Sequence, residues 1–95
     1  MSNTKAIAIN YSDERLRILV EEYITQQRTF FTLKGVCSYV LYWAMEDGHT
    51  TNAGLHESNQ LAQVDCDRIS KVMQTIASEG RITAADNDSY SKTIN

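Results

Sequence analysis

The side chains with the widest chemical reach in this 95-residue chain are Cys37, Cys66, His49 and His56. They are zinc-ligand types, but a compact zinc site takes its ligands in pairs roughly two to five residues apart, and no pair here has that separation. The cysteines show neither a disulfide framework nor CxxC spacing and are expected as two free, mostly buried thiols. The histidines fall in a polar loop and are expected to be solvated. Nucleophilic catalysis needs an activated thiol or hydroxyl beside a base, and Cys37 lies mid-helix in an apolar run that disfavours its thiolate. There is no glycine-rich phosphate loop and no histidine/carboxylate grouping at ligand spacing. The expectation is no enzyme, no metal and no cofactor.

A second set of reactive groups lies in "DRISKVMQTIASEGRI", Asp67 to Ile82. Ile69, Val72, Met73 and Ile76 recur at helical spacing and must face a core. The opposite face then holds Asp67, Ser70, Lys71, Gln74, Thr75 and Ser78, with Arg68 at its edge. In a DNA major groove Gln74 can pair with adenine, and Lys71 or Arg68 can reach guanine or a phosphate. Ser70, Thr75 and Ser78 can bond to the sugar–phosphate rails, and Arg81 and Lys92 extend the basic set. The plain alternative is a solvated polar face. Charge weighs against DNA: the net is −3, with +1 over residues 1–34, −3 over 35–64 and −1 over 65–95, so no segment is a basic block.

The elements that must position these groups are legible from periodicity. Residues 1–11 make a loose arm or a short strand, alternating Ile7, Ile9 and Tyr11 against smaller residues. Ser12 offers an N-cap to a helix over 13–27, whose stripe of Leu16, Leu19, Val20, Tyr23 and Ile24 is either core or a dimer interface. Thr32 caps a second helix, ended by Gly48. Leu33, Val36, Tyr39, Val40 and Trp43 form one face of that helix, and Cys37, Leu41, Ala44 and Met45 continue round it. Only Lys34, Ser38 and Tyr42 remain as a polar sector, so cover is needed on two sides, from other helices or from a second copy. Core packing is expected for Phe30, Phe31, Tyr39 and Trp43, with Tyr42 exposed. A short helix fits Ser58 to Gln63, Asp65 caps the last helix, and Gly80 stops it. "RITAA" and "SYSKTI" flank the turn-forming "DND" as a hairpin.

From Val36 to about Thr93 this order resembles a winged helix-turn-helix domain: an apolar helix ending in "EDG", "NQLAQV" as a short second helix, and "DRISKVMQTIASEGRI" as the third. The last resembles the "V-S-R-x-L-x-x-L-x-x-x-G-x-I" run common in that superfamily. The resemblance implies a single domain over 1–95 that is mainly α with a small C-terminal β-hairpin. It would comprise an N-terminal extra helix, a helical core over 33–79 and a hairpin wing over 81–94. It implies double-stranded DNA as a partner, read by a homodimer, and a role in transcription regulation. The acidic wing tip, Asp86 to Asp88, favours the other use of this scaffold, as a protein-interaction or assembly module. DNA binding is the reading the sequence favours, with the module as alternative. The longest near-apolar run, Val36 to Met45, is about half a membrane span, and residues 1–16 lack a signal-peptide pattern. A cytoplasmic protein with no membrane contact is expected.

Overall fold

Two hydroxyl caps begin the helices of the computed structural model, which describes residues 7–50 and 61–92. The Ser12 side chain accepts from the Arg15 N–H and opens α1 (Asp13–Gln26), with Asp13 and Glu14 in its first turn. The Thr32 side chain accepts from the Gly35 N–H and opens α2 (Leu33–Glu46). The last helix, α3, runs Gln63–Ser78 and is followed by Gly80 at φ +82°, the left-handed stop that the sequence calls for. The fold is mainly α with a small antiparallel sheet.

That sheet holds one strand more than the sequence suggests. β2 (Ile82–Ala84) and β3 (Ser89–Lys92) form the expected hairpin, with Asn87 and Asp88 at φ 60° and 57° making the turn. A third strand, β1 (Phe30–Thr32), pairs with the far side of β3, giving the order β1-β3-β2. Phe31 lies opposite Tyr90 across the β1–β3 pair; both are buried and their rings stack at 5.8 Å. The pleat turns Phe30 outward, 77% exposed, against the expectation that it packs in the core.

One core lies between the three helices and the sheet. Leu16, Val20, Val36, Val40, Ile69, Met73 and Ile76 are its most buried members, and α1 packs against both α3 and α2. The N-terminal arm joins it: Ile7, Ile9 and Tyr11 are buried on one side of the alternation, while Asn10 is exposed. The arm is held by isolated bridges, Ile7 to Leu61 and Ile9 to Thr50, rather than as a strand. On α2 the buried stripe is Val36, Cys37, Val40, Leu41 and Ala44. Trp43, expected on the core face, is instead 38% exposed, because it sits at the edge of that stripe, next to exposed Tyr42.

The first half of the expected short second helix, residues 58–60, lies outside the described residues, as does His56. Its described end is not a separate helix, since Leu61 bridges to Ile7 and Gln63 and Val64 already belong to α3. No helix of the described residues is long and apolar enough to cross a membrane.

Met73 is fully buried, so Met73→Ala should lower the unfolding free energy by about 2–5 kcal/mol in urea titration. Gly80→Ala should lower it by about 1 kcal/mol, since alanine is strained at that φ. A neutral result at Met73 would mean that the helices do not meet at this core.

Candidate functional site

The polar face of α3 begins with a departure from expectation. Asp65 does not cap the helix; the N-cap position is Ala62, which makes no side-chain cap bond. Asp65 lies a turn further in, 3% exposed, and its side chain points into the protein. The arm passing over α3 brings the Ile9 N–H there without a strand partner, and a buried N–H needs an acceptor. Asp65 Oδ2 accepts it at 3.1 Å. The other oxygen, Oδ1, accepts from Arg68 Nη1 at 3.0 Å.

Arg68, one of the cations named for DNA, is thereby occupied. Its Nη2 donates to the Tyr11 carbonyl at 2.6 Å and to Asp13 Oδ1 at 2.9 Å, and its Nε donates to the same Asp13 oxygen at 3.2 Å. One guanidinium thus joins the arm, the start of α1 and the first turns of α3, using the fixed fork of donors that lysine lacks.

The remaining candidates divide in the same way. Thr75 Oγ1 donates to the Lys71 carbonyl at 3.0 Å, and Ser78 Oγ donates to the Thr75 carbonyl at 2.7 Å. Both hydroxyls are turned back onto their own helix. Ser70 is half-buried and lies 3.5 Å from Gln74 Nε2, which donates to it. Arg81 pairs with Glu21 of α1, whose carboxylate also takes Arg17, and Arg17 reaches on to Glu79. Lys92 Nζ donates to the Gln27 carbonyl at 3.0 Å. Of the eight residues named for DNA, Lys71 and Gln74 alone present exposed side chains that reach neither another element nor the helix's own carbonyls, among the described residues. Arg15, Arg28 and Lys34, also exposed, belong to α1, to the α1–β1 connection and to α2.

The stripe named for a dimer lies inside the chain's own core. Leu16, Leu19, Val20 and Ile24 are buried, and Tyr23 is half-buried against Phe31 and Tyr39, with ring centroids at 6.2 and 5.2 Å. None of the five offers a free face to a second copy. Large apolar side chains stand exposed elsewhere, singly at Ile18, Phe30 and Val64 and together on α2. Tyr42, Trp43 and Met45 are 57%, 38% and 41% exposed, and the Trp43 ring meets Tyr42 and Tyr39 edge-on at 5.4 and 6.4 Å. Helical spacing marks this helix as needing cover on more than one side, since its apolar residues run nearly all the way round it.

Comparison with known proteins found no matching family model, no matching curated protein and no matching solved structure.

Removing Arg68 leaves a buried carboxylate and a carbonyl without their donor, so Arg68→Ala should destabilise by about 2–3 kcal/mol. Lys71→Ala should stay within about 0.5 kcal/mol in the same thermal or urea titration. The Glu79 carboxyl is held below its ordinary value by the hydrogen bond from Arg17. That contact should therefore persist at the usual carboxylate pKa and vanish only as pH falls through the depressed one, which a carboxyl NMR titration reads directly.

Proposed function

We propose that this chain is a small assembly module on a winged-helix-type scaffold, binding protein rather than DNA, with a second copy of itself as partner. The scaffold reading is supported by the order α1-β1-α2-α3-β2-β3, with the strand after α1 added to a C-terminal hairpin next to α3. On this reading α1 is an integral core helix and not an addition.

The observation that carries the proposal is the exposed ridge of Tyr42, Trp43 and Met45 on α2. Aromatic and methionine side chains are the groups enriched at the centres of protein interfaces. The charges around the ridge select the occupant. Lys34 stands exposed at the start of α2, and Glu46 and Asp47 stand exposed at its end. A two-fold axis that lays α2 antiparallel on its copy brings Lys34 opposite Glu46 and small Ser38 opposite Tyr42, and it opposes the helix dipoles.

DNA binding remains the second reading, and what favours it is the outward pair of Lys71 and Gln74 on α3. One such cation per chain supplies few phosphate contacts, against several in a useful binder.

Two measurements on the same sample separate these readings. Sedimentation should show a monomer–dimer equilibrium, with emission from the single tryptophan, Trp43, shifting to the blue as concentration rises. Lys34→Glu should weaken the dimer about tenfold, with partial rescue by Glu46→Lys, since a close interfacial ion pair couples by about 1.5 kcal/mol or more. A chain that stays monomeric with unshifted emission overturns the assembly reading. Anisotropy of a labelled duplex should show no binding at low salt; binding there that falls steeply by ~150 mM and is lost in Lys71→Ala would restore the DNA reading.

A further inference from the structure

Neither reading uses the two cysteines, yet the fold brings them together. Cys37 lies in α2 and Cys66 in the first turns of α3, two helices that pack against each other. Both line one cleft of about 670 Å³, walled by Leu41 and Leu61 and rimmed by Lys34 and Asp88. Cys37 is buried; Cys66 is half-exposed, with its Sγ 3.8 Å from the Leu61 carbonyl. A thiol pair from two packed helices, with one member reachable from a cleft, is the arrangement of a closable dithiol.

We infer that Cys37 and Cys66 form a reversible disulfide, closed by exchange with a low-molecular-weight disulfide that reaches Cys66 through this cleft. In the first step the Cys66 thiolate attacks one sulfur of the small disulfide. A mixed disulfide forms at Cys66, and one small thiolate leaves and takes up a proton. Cys37 then gives its proton to solvent and attacks Cys66 Sγ, so the intramolecular bond forms and the second small thiolate leaves and is protonated. Two protein thiols lose two electrons in all, and the small disulfide is reduced to two thiols. The bond closes when the two sulfurs, which share this cleft, approach to about 2 Å.

The order of reaction follows from the surroundings. Burial pushes the Cys37 thiol up to about 12, with the Cys66 charge and hydrogen bond and the Asp88 carboxylate adding to it. Since the thiolate is the nucleophile, Cys66 reacts first and Cys37 resolves. Closure should accelerate with pH, by roughly tenfold per unit well below the Cys37 value.

The test is to incubate the folded full chain with oxidised glutathione, quench with acid, and measure intact mass and linked peptides, with circular dichroism confirming that the fold persists. Wild type should lose two hydrogens in mass, carry a Cys37–Cys66 crosslink, and melt at a higher temperature until a reductant is added. Cys37→Ser should stop at one glutathione on Cys66, and Cys66→Ser should react at least ~10-fold more slowly, since its remaining thiol is buried and protonated. A stable single adduct on wild type, a Cys66–Cys66 crosslink between chains, or reaction only after unfolding in urea would each overturn the inference.

Discussion

The Asp65 carboxylate is the point to which the rest of this molecule is tied. It is charged, buried, and placed where the arm and the start of α1 meet α3, more than fifty positions away in sequence. One oxygen serves the backbone of the N-terminal arm, and the other holds Arg68, which grips the arm again at Tyr11 and the start of α1 at Asp13. Both Asp65 oxygens are answered by a donor, which is the condition under which charge can be buried at all. Apolar packing between α1 and α3 is non-directional and tolerates sliding. The clamp fixes their register and lays the arm across them, so Ile7, Ile9 and Tyr11 can close that side of the core.

A single residue can thus be read as recognition chemistry and prove to be architecture. Arg68, Arg81 and Lys92 carry the charge that a DNA surface would need, and each reaches back into the protein: to Asp65, to Glu21 and to the Gln27 carbonyl. Charge composition shows how many cations exist, but not which of them face outward. The mild acidity of the chain and this inward use of its cations point the same way, whereas Tyr42, Trp43 and Met45 of α2 stay more than a third exposed.

Local signals were the legible ones. The caps at Ser12 and Thr32, the stop at Gly80, the stripe of Ile69, Met73 and Ile76, and the turn at Asp86 to Asp88 are each determined within a few residues, and each is where the sequence puts it. What escaped needs partners distant in sequence. β1 is three residues long and is a strand only because β3 lies beside it. Asp65 has the type and position of a cap, and only the arm, which no local pattern places there, explains why it turns inward. Trp43 differs from its core-facing neighbours by a single helical step, finer than a wheel can resolve when apolar residues surround it on both sides. Cys37 and Cys66 stand 29 positions apart, so nothing in their spacing suggests that they line one cleft.

The strand order carries a consequence for how the chain is made. β3 is the middle strand of the sheet although it is the last to be synthesised of the three, and both β1 and β2 pair with it alone. While the chain emerges, the three helices and their core can assemble, but Phe31 has no Tyr90 to stack on and β1 has nothing to bond to. The sheet is therefore all or none, closed at a stroke by residues 89–92. Ribosome-bound chains ending before Ser89 would present two bare strand segments, a state in which pairing with a neighbouring chain competes with folding.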